Sequence, residues 1–174
     1  MAFGNLGKGG VSFKWNDEKV KQVMKQRQSV ALRKAGAFLE GEIKKSMVKG
    51  DYKPYKRGGK IHLSASPGRP PAVDTGRLRA SITWQTSDGY GSSVKGWTGG
   101  GRSGGQTWVG KAGPGDAVKK PTTANPNELV CVVGTNVEYG KFLELGTPKM
   151  GPRPFLRPAL ENNRKNILDF FNFK

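Results

Sequence analysis

The sequence holds one cysteine, one histidine and only 13 acidic residues. A single Cys131 excludes an intramolecular disulfide framework, and one Cys with one His cannot build a Cys/His zinc centre. Cys131 stands in the apolar run LVCVV at 129–133, where a lone cysteine reads as a small buried hydrophobe. With His62 the only imidazole, Ser-His-Asp and Cys-His schemes would both have to use it. His62 lies near Lys60 in a basic stretch and reads as solvated loop. No apolar run approaches the roughly 18 residues of a membrane span. The Gly-rich opening (1–11) lacks the apolar core of a signal peptide. The expectation is a soluble chain made in a reducing compartment, with no membrane partner and no cofactor.

Acids are scarce because bases are abundant: 30 Lys/Arg give a net charge of +17. Thirteen bases and four acids fall between Glu18 and Lys60. Charge of this size attracts polyanions, and it also suits assembly subunits that meet acidic neighbours. Apolar residues make up only 34% of the 174, against 26 Gly and 11 Pro, so part of the chain must lie outside a core. The length suits one domain over 1–174. Within it we expect a flexible arm at 1–15, an extended Pro-rich and basic loop at 50–73, and a Gly-rich excursion at 89–127.

Asn16 followed by Asp17 and Glu18 is a helix start, a capping residue with acids in the first turn. From there to about Lys49, Val20, Val23, Met24, Val30, Ala31, Ala35, Phe38, Ile43 and Met47 recur at three- and four-residue spacings. Gly36 and Gly41 weaken this helix and are places where it would bend or divide. Asp74 or Thr75 caps a short helix through Leu78 and Ile82, and Ile82, Trp84 and Thr86 begin a strand-like alternation. In the stretch 89–115 eleven residues are Gly, with 94–97 and 107–109 as the arms of a long hairpin. The acid-poor tip of that hairpin would project from the body. The run at 129–133 is the strongest strand, apolar without alternation and so buried on both faces. VEYGKFLELG reads as a short helix stopped by Gly146, with Tyr139, Phe142 and Leu143 on one side. A terminal helix follows Pro158, its apolar face made by Phe155 or Leu156, Ala159 or Leu160, Ile167 or Leu168, and Phe171. The class is α+β: long N-terminal and C-terminal helices packed on a small, mostly antiparallel sheet, with a Gly-rich hairpin or loop excursion.

Chemical motifs are weak. GGRSGGQT has the glycine spacing of a phosphate loop but lacks its lysine, and no helix pattern follows. The carboxylates Asp74, Glu138 and Glu144 could pair in space, yet acids at helix starts are usually caps. Tyr52, Tyr55 and Trp97 among Lys and Arg resemble single-strand nucleic-acid surfaces without any accompanying motif. Polyanion or partner contacts are expected at Lys53, Lys56, Arg57, Lys60, Lys95, Arg102 and Lys111.

Two segments carry a resemblance: VDTGRLRASI and VEYGKFLELGTPKMGPRPFLRPAL. They resemble the marks of the neck, head–tail joining and tail-completion proteins of long-tailed bacteriophages, including minor tail proteins of the Z type. The matching positions are Asp74, Thr75, Gly76 and Leu78, then Val137, Tyr139, Glu144, Gly146, Thr147, Arg153, Pro154, Phe155, Leu156, Pro158 and Ala159. The resemblance covers about half the chain and omits the Gly-rich excursion. It implies a non-enzymatic virion subunit assembled in the host cytoplasm. It further implies a homo-oligomeric ring between the head connector or adaptor proteins and the tail terminator or tail tube, with a channel for DNA. The alternative is a basic nucleic-acid-binding protein. In GTPKMGPRPFLRP, prolines 148, 152, 154 and 158 fix φ before the last helix. Phe155 is expected to anchor that entry in the core, leaving Arg153 and Arg157 to carboxylates such as Glu144.

Overall fold

A computed structural model describes residues 16–47, 52–74, 76–94, 99–103, 106–110, 112–123, 125 and 128–172. Helix α1 spans Asp17–Ser46, capped by the Asn16 side chain, which accepts from Lys19 N–H at 3.1 Å. Its 30 residues give a rod of about 45 Å. It is one unbroken helix through Gly36 and Gly41, so it does not divide there. Gly36 is required by packing, because a Cβ there would stand 2.8 Å from Cys131 Sγ and 3.0 Å from the Trp84 ring. Residues 16–28 are exposed throughout, and burial begins at Ser29 and Ala31.

The stretch expected as a 50–73 loop folds in part into a hairpin, β1 Tyr52–Arg57 and β2 Lys60–Ala65. Arg57 lies opposite Lys60 across Gly58 and Gly59, whose φ values of +55° and +75° suit a tight two-residue turn. Pro54 is tolerated because alternate N–H groups of a two-stranded ribbon point to a free edge. Helix α2, Arg77–Ser81, starts at Gly76 with φ +78° and no side-chain cap, so Asp74 does not cap it. Thr75 lies outside the described residues.

β3, Thr83–Thr86, pairs antiparallel with a strand that arrives much later in the chain. Between them, β4 Gly99–Ser103 and β5 Gln106–Gly110 form the second hairpin. Its first arm lies at 99–103 rather than at 94–97, where 95–98 are outside the described residues. Its first strand, β4, lies against β2. GGRSGGQT begins within β4 and ends within β5, so a strand and not a helix follows its glycines. A 3₁₀ turn at Pro114–Asp116 leads back to the body.

The late strand is β6, Cys131–Gly134. It is half-buried rather than enclosed on both faces, because among the described residues it pairs with β3 alone and α1 covers one side. Helix α3, Tyr139–Leu145, ends at Gly146 as expected. The terminal helix is split, α4 Arg157–Asn162 and α5 Arg164–Asp169, with Asn163 out of helical geometry between them. Leu160 and Leu168 are therefore exposed, whereas Ala159 is buried.

The core sits where α1, α2 and α4 converge. Ile43, Met47, Leu78, Ile82, Val137, Phe155 and Ala159 form it, with Leu39, Val133, Leu143 and Leu156 packed against them. The class is α+β, built on three separate two-stranded antiparallel sheets among the described residues.

Candidate functional site

The segment from α3 to α4 is a bracket held by backbone contacts. Gly140 is needed at the start of α3, since a Cβ would meet Thr135 Cγ2 at 2.9 Å. Gly146 ends α3 with φ +78°, a left-handed conformation that favours glycine, and a Cβ there would lie 2.9 Å from Met150 O. Thr147 and Met150 then exchange both backbone bonds at 2.8 and 3.0 Å, with Pro148 and Lys149 between them. Arg153 N–H donates to Leu143 O at 2.6 Å, and Gly68 N–H donates to Pro152 O at 2.7 Å.

Glu144 closes the bracket. Its carboxylate accepts from Phe155 N–H at 2.7 Å, Leu156 N–H at 3.0 Å and Arg157 N–H at 3.0 Å. These are donors that no intrahelical carbonyl can satisfy at a helix start, and the negative charge complements the dipole there. Pro158 fills the first turn of α4, where its missing donor costs little. Phe155, 1% exposed, plugs into the core beside Ile43 and Met47. The expected pairing of Arg153 with Glu144 is corrected: Arg153 Nε donates to Ala65 O at 2.7 Å and Nη2 to Ser64 Oγ at 3.4 Å. Arg153 thus ties α3 to β2, and Glu144 is already occupied by amides. Pro154, partly buried, lies between these two anchors.

The earlier segment joins the same region. Asp74 bonds His62 Nδ1 at 2.7 Å, and its Oδ1 is buried without a hydrogen-bond partner among the described residues. His62 is half-buried on β2 and stacked on Tyr55 at 5.4 Å, not solvated loop. Leu78 enters the core and Gly76 supplies the turn before it. A cavity of about 460 Å³ lies between the first hairpin, the 71–79 segment and α3, lined by Tyr55, Leu63, Val73, Asp74, Tyr139 and Met150 among others. Burial pushes the Tyr139 hydroxyl up, partly opposed by the Arg77 charge.

Sequence reasoning missed two polar clusters that tie distant segments. Arg77 meets Asp116 in a two-pronged pair, Nε–Oδ2 3.0 Å and Nη2–Oδ1 2.7 Å, and Gly113 N–H also donates to that carboxylate. The Arg77 guanidinium holds the Asp116 carboxyl below the usual carboxylate range, against the opposing effect of burial. Asp88 receives Ser29, Thr86 and Arg33, and Arg33 lies 3.1 Å over the Tyr90 ring. Burial pushes Asp88 up, but these donors outweigh it and hold the carboxyl low. Only the turn sequence GPGD at 113–116 hinted at the first cluster. Nothing local marked the second, whose partners Ser29 and Asp88 are 59 residues apart.

Of the expected polyanion contacts, Lys53, Lys56, Arg57 and Lys60 are exposed on β1 and β2. Lys95 and Lys111, and the side chain of Arg102, lie outside the described residues. Cys131 is half-buried, and burial first, then the Asp88 charge, pushes its thiol up to about 11. At pH 8 roughly 0.1% of such a thiol is ionised, so it is a poor nucleophile. Glu138 is exposed, Glu144 caps α4 and Asp74 binds His62, so the three carboxylates do not pair. Among the described residues, no three His, Cys, Asp or Glu side chains group as metal ligands. No helix among them is long and apolar enough to cross a membrane.

The bracket commits the Glu144 carboxylate and the Arg153 guanidinium to bonds that are mostly with backbone. Residues 13–146 match the family described as "Bacteriophage HK97-gp10, putative tail-component". The chain belongs to this HK97-gp10-like family, and its place is the phage virion, among other phage structural proteins. The match contains Asp74, Gly76, Leu78, Tyr139, Glu144 and Gly146 and stops before Thr147. No curated protein and no solved structure matches the chain.

Proposed function

We propose that this tail component is a neck or tail-completion subunit. It assembles as a homo-oligomeric ring between the head connector or adaptor proteins and the tail terminator or tail tube, around a channel for DNA. One observation carries this reading: large apolar side chains stand in water on helices that the body leaves uncovered. Leu145 is 74% exposed and Phe142 45% at the outer side of α3. Val20, Val23 and Met24 are similarly bare on the projecting half of α1. Uncovered apolar groups on adjacent turns mark surfaces that another protein covers. A ring needs two different surfaces on each copy, meeting head to tail, and α1 and α3 supply two candidates.

The test is a Phe142→Ser/Leu145→Ser double variant. Both side chains are exposed, so its melting temperature should match wild type while its sedimentation shows loss of the ring and its addition to purified tails fails. Particles that lack the protein yet remain joined and stable would sink the reading. The second reading, a nucleic-acid-binding protein, is favoured by the charge of +17. It expects virions of normal assembly from a chain that cannot bind DNA to be defective only in handling the genome.

A further inference from the structure

Between Asp51 and Asp74 the chain carries Lys53, Lys56, Arg57, Lys60 and Arg69 and no acid at all. The fold gathers four of these five onto one exposed two-stranded ribbon, β1–β2. The ladder register sorts them further. Lys53, Tyr55 and Arg57 share one face, with Ser64, His62 and Lys60 opposite them on the same face. On that face Lys53, Arg57 and Lys60 surround a stacked Tyr55–His62 pair, and its inner end meets the body, where His62 bonds Asp74 at 2.7 Å and Ser64 bonds Arg153 at 3.4 Å. Arg57 and Lys60 stand directly opposite each other, a like-charge pairing that weakens an isolated hairpin. At the tip, Gly58 and Gly59 present bare backbone, and a Cβ at either would meet nothing.

We propose that the β1–β2 ribbon is a contact site for duplex DNA, with Lys53, Arg57 and Lys60 on phosphates flanking a groove. A two-stranded ribbon is one of the two elements that the major groove admits. Four residues of strand place Lys53 and Arg57 about 13 Å apart along the ribbon. That is close to the roughly 12 Å width of the major groove, so one cation reaches each bank. A protein partner is less well matched, because interface cores exclude Lys and want apolar anchors. Every residue from Lys53 to Lys60 is exposed, and the aromatic among them is already stacked on His62. That the polyanion is the phage genome rests on the neck reading above; the binding itself does not.

The full-length chain is titrated with a short fluorescent duplex of random sequence over a range of salt. Losing three phosphate contacts lowers the slope of log affinity against log salt by about 2.7, so wild-type affinity should fall about forty-fold more than that of Lys53→Gln/Arg57→Gln/Lys60→Gln between 50 and 200 mM salt. The control Lys141→Gln/Arg164→Gln/Lys165→Gln removes the same charge from exposed positions on α3 and α5 and should keep the wild-type slope. The charge-retaining Lys53→Arg/Arg57→Lys/Lys60→Arg chain should also keep it. Absent wild-type binding, equal losses in the two Gln triples, or loss in the charge-retaining chain would overturn the proposal. So would an unchanged slope in the ribbon triple, and if that chain also failed to add to tails, the ribbon would be a protein-docking element. DNA binding is read on the isolated chain and position on the particle, so either reading can fail without the other.

Discussion

Glu144 shows how much one side chain can organise. A carboxylate accepting three backbone N–H groups is held by charge-assisted bonds, each stronger than a neutral pair. Glu144→Gln keeps the size, removes the charge and turns an amide NH₂ toward a donor. The expected loss is about 2–3 kcal/mol in urea unfolding. A loss under about 0.5 kcal/mol would mean the cap is not what holds α4. Phe155→Ala should cost about 3–5 kcal/mol, the range for emptying a buried aromatic site. With Arg153 left only to a carboxylate, as its sequence context suggests, Arg153→Ala would leave the chain folded. The bonds of Arg153 to Ala65 and Ser64 revise that to a loss of about 1–2 kcal/mol, again by urea unfolding. Equal losses for the two variants would contradict the division between core plug and tie. The stiffness of GTPKMGPRPFLRP was visible in its prolines, and Phe155 as its anchor was legible. The partners of Glu144 and Arg153 were not, because backbone N–H and C=O groups look alike in every sequence.

Among the elements, α1 carries a clean comparison. Both of its internal glycines lower helix propensity by about 1 kcal/mol relative to Ala, and in sequence they are indistinguishable. In the structure a Cβ at Gly41 meets nothing within 4 Å, whereas one at Gly36 meets Cys131 and Trp84. Gly41→Ala should therefore raise stability by up to about 1 kcal/mol. Gly36→Ala should lower it by about 1–2 kcal/mol net, overpacking outweighing propensity. Thermal melting of the two variants decides it, and opposite signs are the expected result. Long elements with strong periodicity, α1 above all, were legible almost to their ends. The β1–β2 hairpin was not, because Pro54 argued against a strand and only the Gly58-Gly59 pair argued for one. The terminal helix was read as unbroken because its apolar spacing continues across Asn163, and spacing does not register a local turn.

For the whole molecule, stability should depend on acid in a definite direction. Asp116 and Asp88 have carboxyls held below their ordinary values. A group depressed in the folded state adds stability at pH above its unfolded value, near 3.9, and that contribution is lost as pH falls through the folded value. The denaturant midpoint should thus be flat near neutrality and fall below about pH 4, helped by the growing positive charge. Asp116→Asn should be less stable at pH 7 and show a shallower acid fall. An identical acid profile in that variant would show that the Arg77 pair does not contribute. The two clusters also tie together segments that the small two-stranded sheets leave separate: Asp116 joins the return of the excursion to α2, and Asp88 joins the β3 turn to α1.

Local physics was enough to set helices α1 and α3, the excess of positive charge, the α+β class and the resemblance that points to a phage tail component. Helix periodicity, capping and charge act between near neighbours, so they can be read in order along the chain. The sites where distant segments meet depended on the folded chain. Glu144 caps a helix that begins 13 residues later, Arg153 reaches back 88 residues to Ala65, and Asp88 meets Ser29 across 59. The cationic face of the β1–β2 ribbon exists only once the register puts Lys60 beside Arg57. Such contacts are set by chain closure and packing geometry, which bring together groups whose types give no sign of one another in the linear order.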